Sequence, residues 1–157
     1  NLWHVGSANA SAVRSVQDDA LRSWSCAVFE YVDLWLTEQS EREKRLATLI
    51  QVFDLQGLNF WQVTSSALVE KVKLAFSAGP YYVEAVSHIY VINSSPLFSM
   101  AWKVIKGFIT PRTASKITVA NGVPEELLAS LSPDSAARLL VLLRDSQKAA
   151  AHAEVLR

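Results

Sequence analysis

The sequence predicts an α/β fold in which a mixed, mostly parallel β-sheet is covered by helices, and three observations predict it. Short β-branched runs, apolar on both faces, recur along the chain; stretches with apolar residues at three- and four-residue spacing separate them; and glycine or proline stands at most of the junctions. A chain of 157 residues buries roughly two thirds of its unfolded surface, enough for the core of one domain.

Taken in order, Leu2 to Val5 reads as a short strand closed by the small and polar Gly6-Ser7-Ala8-Asn9. From Val13 onward, Val16, Ala20, Trp24, Ala27, Val28, Tyr31 and Trp35 recur at helical spacing, with Asp18, Asp19, Arg22, Glu30 and Asp33 between them, which predicts one long amphipathic helix. Glu38 to Lys44 is a solvated charged stretch. Arg45 to Asp54 then turns β-branched and apolar, as a central buried strand does. Past Gly57, the spacing of Val63, Ala67, Leu68, Val72, Ala75 and Phe76 predicts a helix over Trp61 to Phe76, stopped by Gly79-Pro80. Tyr81 to Val86 gives one or two further turns, and His88 to Ile92 another buried strand.

The clearest periodicity follows Pro96. Leu97, Phe98, Ala101, Val104, Ile105 and Phe108 form a single helical stripe, with Ser99, Lys103 and Lys106 off it and Pro111 beyond its end. Lys116 to Ala120 is the last predicted strand. Pro124 to Leu131 is a short helix with acids in its first turn, and Pro133 opens a final helix rich in Ala and Leu.

Composition excludes several functions. Fifteen Lys and Arg balance fifteen Asp and Glu, so no basic footprint marks a nucleic-acid partner. Cys26 is the only cysteine, which leaves no internal disulfide or thiol-built zinc site and fits a reducing, cytoplasmic setting. His4, His88 and His152 are scattered without the pairing of a metal site or a nucleophile–base arrangement. Thr113-Ala114-Ser115-Lys116 fits the Ser/Thr-x-x-Lys pattern of acyl-enzyme hydrolases, but the companion motifs are missing.

Five segments together carry a resemblance. Ile50-Gln51-Val52-Phe53-Asp54-Leu55-Gln56-Gly57-Leu58, Tyr81-Tyr82-Val83-Glu84, Ile89-Tyr90-Val91-Ile92-Asn93, Pro96-Leu97-Phe98-Ser99 and Thr110-Pro111-Arg112-Thr113-Ala114-Ser115-Lys116-Ile117 follow one another in the order and spacing of the Sec14-like (CRAL-TRIO) lipid-binding family, which the chain resembles. The resemblance is strongest over residues 45–131. It implies one lipid-binding domain over residues 1–157, with 132–157 as a C-terminal helical extension.

By that resemblance the fold encloses a hydrophobic pouch for a phospholipid, and the stripe of Leu97, Phe98, Ala101, Val104, Ile105 and Phe108 is the inner face of a lid helix that opens at a membrane surface. Trp102, Lys103 and Lys106 would then stand at headgroup level. Glu84, Thr113 and Lys116 fall where phosphatidylinositol-binding relatives recognise the phosphoinositol: lysine supplies a cation for phosphate, threonine a hydroxyl, and the carboxylate orients the lysine or accepts from ring hydroxyls. Where choline-lipid binders carry hydroxyl residues this chain has Leu49 and Gln51, so phosphatidylinositol is the expected ligand. The implied protein is a monomeric carrier, peripheral to the membrane, with no catalysis and no cofactor besides its lipid. Two alternatives stay open: a carrier of one small hydrophobic molecule of the tocopherol or retinoid kind, and a regulatory interaction domain of a larger signalling protein.

Overall fold

Four strands, each short and rich in Val, Ile, Leu and aromatic residues, pair side by side in this computed structural model, which describes residues 1–58, 62, 65–82, 85–96, 98–107 and 109–155. They are β1 (Leu2–His4), β2 (Leu49–Asp54), β3 (Val86–Ile92) and β4 (Ile117–Val119), in the spatial order β1-β2-β3-β4. Every pairing among the described residues is parallel, with Leu2 opposite Val52, Val52 opposite Tyr90, and Tyr90 opposite Thr118. The sheet is therefore parallel where a mixed one was allowed.

Parallel neighbours need crossover connections, and crossovers of one hand in a sequential sheet bring their helices to one face. Those connections hold α1 (Ala10–Ser15), α2 (Asp18–Glu43), α3 (Ser66–Ala75), a 3-10 turn (Gly79–Tyr81), α4 (Phe98–Lys106) and α5 (Pro111–Ser115). After β4 come α6 (Glu125–Ala129) and α7 (Pro133–Val155), which take the other face. There Val52, Tyr90 and Ile92 pack with Leu127, Leu139 and Leu143, and Leu2, Ile50, Val123, Leu128 and Leu131 edge the cluster. On the crossover face Leu55, Val91 and Phe98 form a second core, joined by Val5, Phe53, Ile89, Trp102, Ile105 and Ile117.

The helix expected as one piece from Val13 is two. Asn9 caps α1, its side chain accepting from the amides of Ser11 and Ala12. The chain becomes extended at Val16 and Gln17, and α2 restarts with Asp18 and Asp19 favourably placed at its positive end. Lys71 of α3 holds this break by donating to the Val16 carbonyl and to Asp18, the latter at 2.6 Å. The charged stretch from Glu38 continues α2 to Glu43, where Lys44 ends it in the left-handed conformation. Trp61 and Val63, at the expected start of the next helix, lie outside the described residues.

At the C-terminal end of the sheet one carboxyl joins three strand ends. Asp54, 1% exposed, accepts from the Gln56 amide at 3.0 Å and from Asn93 Nδ2 at 2.8 Å, and its second oxygen is 3.3 Å from His4 Nδ1. The adjoining turns leave no room for other residues: a Cβ on Gly6 would sit 2.1 Å from the Gln56 carbonyl oxygen, and Gly57 has φ 87°. Replacing Asp54 with Ala orphans Asn93 Nδ2 and the Gln56 amide, and urea unfolding is expected to register a loss of about 3 kcal/mol. An unchanged midpoint would show that the three strand ends hold without it.

The turn before β3 is tied to α2 by Tyr82, which stacks on Phe29 with ring centroids 5.4 Å apart and donates its hydroxyl to Glu30. The bond to Glu30, then desolvation and nearby negative charge, push its pKa up to about 12. Because the folded value is raised, the stabilisation from this proton is complete below the ordinary value near 10 and is lost as pH rises through about 12. In an absorbance titration, Tyr82 is expected to ionise as a late step that Glu30→Gln moves earlier.

Candidate functional site

The crossover face of the sheet is the floor of the candidate site. Residues alternate along a strand, so Trp3, Gln51, Phe53, Ile89, Val91 and Ile117 project from it while Leu2, Val52, Tyr90 and Ile92 serve the opposite core. Trp3 stacks beside Phe53 at 6.4 Å between centroids. Trp24 of α2 meets Trp3 edge-on at 5.9 Å, and Phe76, just past α3, meets Phe53 at 5.8 Å. Three elements thus close over the floor: α2 and the end of α3 through aromatic contacts, and α4 through apolar packing.

The stripe through which α4 closes is Phe98, Trp102 and Ile105, at spacings of four and three. Phe98 is 6% exposed and lies 6.3 Å from the Trp102 ring. Trp102, expected either at headgroup level or against the ligand, is half-buried and packs with the stripe, four residues after Phe98 and therefore on the same helical face. Lys103 and Lys106 are exposed, as expected. Leu97 and Phe108 lie outside the described residues, as do the side chains of Ala101 and Val104.

Toward the β1 edge the cover is incomplete. Ala27, Val28, Tyr31, Val32 and Trp35 of α2, with Asn1 and Leu49, line an open apolar groove of about 400 Å³. Tyr31 and Trp35, expected on the buried side of their helix, are 71% and 45% exposed, and among the described residues of α2 only Ser25 and Leu36 are fully buried. A helix so poorly covered presents apolar surface that a ligand in the groove could take out of water.

Polar groups also stand on this floor. The buried Nε1 of Trp3 has no hydrogen-bond partner among the described residues. Gln51, 8% exposed, makes no side-chain hydrogen bond among them. Gln51 was legible as a departure from the hydroxyl residues of choline-lipid binders; Trp3 was not singled out, because nothing in a four-residue strand announces an unpaired indole.

The three headgroup candidates fare differently. Glu84 lies outside the described residues. Thr110 caps α5, its hydroxyl accepting from the Thr113 amide at 3.1 Å, and its Oγ1 lies 2.9 Å from Thr113 Oγ1. Lys116 follows α5 and donates from Nζ to the Val86 carbonyl at 2.6 Å, bridging the starts of β4 and β3. Thr113 and Lys116 therefore share one end of the sheet, opposite the end that Asp54 organises. Ser115 Oγ donates to the Arg112 carbonyl at 2.8 Å, so neither hydroxyl of the Thr113-x-x-Lys116 segment is paired with a base among the described residues. No helix among the described residues is long and apolar enough to cross a membrane.

A family model described as the CRAL/TRIO domain matches residues 5–138. The chain belongs to the CRAL/TRIO domain family. Within it, the chain is similar to the phosphatidylinositol/phosphatidylcholine transfer proteins SFH9, SFH7 and SFH12 of Arabidopsis thaliana, at 30%, 31% and 25% identity over 55%, 49% and 59% of its length. The aligned parts span 14%, 14% and 17% of those proteins. Among solved structures, the crystal structure of Sfh5 matches with a TM-score of 0.45 at 23% identity, covering 48% of this chain and 27% of that one. The matched range holds β2, β3 and β4 with the Asp54, Gly57 and Asn93 turns, and it reaches α7 at Arg138.

Proposed function

We propose that this CRAL/TRIO domain holds a phosphatidylinositol molecule between the crossover face of its sheet and α4, and exchanges it when α4 opens at a membrane. The observation that carries the reading is the closing helix itself: α4 covers the floor through one stripe, Phe98, Trp102 and Ile105, while toward the β1 edge the same cover leaves an apolar groove open to solvent.

Magnitudes support such a device. A diacyl lipid of roughly thirty methylenes would cost on the order of 25 kcal/mol to pass bare through water. Exposing the three large side chains of the α4 stripe to water would cost roughly 5–9 kcal/mol. A lid of that strength stays shut in solution and can still open where acyl chains receive the stripe. The exposed Lys103 and Lys106 add attraction to an anionic surface, about 1 kcal/mol each. The protein in this reading is a cytoplasmic carrier that visits membranes, and makes or breaks no bond.

For the headgroup, Lys116 supplies the phosphate-binding cation, with Thr113 one turn away and Glu84 completing the trio. Binding would require Lys116 Nζ to exchange the Val86 carbonyl for a phosphate oxygen, a stronger charge-assisted bond. Phosphatidylinositol is favoured over a choline lipid because Leu49 and Gln51 offer no hydroxyl. The similar Arabidopsis proteins are named for transfer of both lipids, which is consistent with either choice.

Native mass spectrometry of the purified chain is expected to find phosphatidylinositol bound; a cargo without phosphorus would replace this reading with that of a small-hydrophobe carrier. Glu84→Ala combined with Lys116→Ala is expected to abolish phosphatidylinositol transfer between vesicles while the chain stays folded. Transfer at the original rate would remove both residues from the site. Separately, Ile105→Glu is expected to slow vesicle loading by about tenfold or more, since it puts a charge on the face that must enter the bilayer. Normal exchange by that variant would make α4 a fixed cover.

A further inference from the structure

The final helix is built to face two ways. Leu139, Leu140, Val141, Leu142 and Leu143 make one stretch of α7 apolar around its whole circumference, a pattern that belongs to a helix covered on all sides there. Only one side is covered by the sheet: Leu139 and Leu143 are buried, while Leu140, Val141 and Leu142 are 41%, 54% and 51% exposed. At about 100° per residue, Val141 lies diametrically opposite the Leu139–Leu143 pair.

Around Val141 the charges form a balanced pattern. Asp134 and Lys148 each stand seven residues away, two turns up and two turns down the same stripe. Arg138 and Asp145 share one flank of it, three residues before and four after. All four are exposed, and none is in an ion pair among the described residues.

We infer that the outer face of α7 is a self-association surface, whose occupant is α7 of a second copy running antiparallel across a two-fold axis at Val141. In an antiparallel pair, each residue faces the one at equal distance beyond the axis. Asp134 then meets Lys148 of the second copy, and Arg138 meets its Asp145 with an offset of about 1.5 Å along the helix. Both contacts occur twice, as two-fold symmetry requires. Val141 packs on Val141 at the centre, and Arg144, on the other flank, passes over Ala137 of the second copy. A parallel pairing would instead stack each charge on its own kind, which is destabilising. The pattern is complementary to itself, and it departs from the monomer that the sequence led one to expect.

Sedimentation equilibrium on the 157-residue chain tests this, with the mass expected to rise with concentration toward twice the 17.3 kDa of one chain. Val141→Glu and Arg138→Asp are each expected to weaken association by about tenfold or more. The double variant Arg138→Asp with Asp145→Arg is expected to recover it, because each reversed charge then faces the other across the axis. Circular dichroism confirms that the variants keep their helices. A wild-type chain that stays at the single-chain mass overturns the proposal and leaves α7 to some other cover. Association unaffected by Val141→Glu places the contact elsewhere, and a double variant as weak as Arg138→Asp alone rejects the register.

Discussion

The buried carboxyl of Asp54 is the constraint on which the rest of the fold depends. A parallel sheet of short strands has little pairing to hold its register: β1 contributes only Leu2 to His4, and β4 only Ile117 to Val119. Asp54 compensates by joining the ends of β1, β2 and β3 through His4, its own turn and Asn93. A buried polar group without partners would be costly, so each partner is held in place by that cost. Asn93 accepts a left-handed φ of 54° to reach it, and Gly6 and Gly57 let the neighbouring turns pass within contact distance. The Asp-Leu-x-Gly and Ile-Asn segments of the sequence are thus two halves of one structure.

Fixing that end of the sheet settles which side chains reach which face. Val52 and Tyr90 go to the α6–α7 core, Phe53 and Val91 to the crossover face, and a one-residue slip would exchange them. The two faces have different demands. The α6–α7 side closes tightly, with Ile92 and Leu127 fully buried. The crossover side is closed by aromatic edges and by α4, and stays open at the α2 groove.

Most strands and helices were legible because their signals are local. Arg45 to Asp54 and His88 to Ile92 are β-branched runs, and the Pro96–Pro111 interval is a clean helical period; each became the element expected, with ends shifted by a few residues. The break at Val16 and Gln17 was not legible, because apolar spacing continues across it and Lys71, more than fifty residues away, holds it. The exposure of Tyr31 and Trp35 was hidden for a related reason: periodicity tells which residues share a helical face, and only the tertiary fold tells whether anything covers that face. Trp102 shows the limit of a wide stripe, since Phe98, Trp102 and Ile105 fit helical spacing as well as the set that omitted it. Of the headgroup candidates, Thr113 and Lys116 are neighbours by their three-residue spacing alone; what spacing could not foretell is that Thr110 pairs with Thr113 and that Lys116 reaches the Val86 carbonyl.

The unpaired indole N–H of Trp3 on the crossover floor bears on what that face is for. A buried donor without a partner costs about 1–3 kcal/mol, and native folds rarely leave one in place. Trp3 Nε1 is such a group on that apolar surface among the described residues. A purely hydrocarbon cargo would leave that cost standing, whereas a cargo with oxygen acceptors at the head of its chains would recover part of it on entry. In the carrier reading, the floor thus discriminates between ligands by a polar deficit as well as by apolar area. That deficit favours an ester-bearing lipid over a hydrocarbon of the same size, and it does so independently of the headgroup residues at the far end of the sheet.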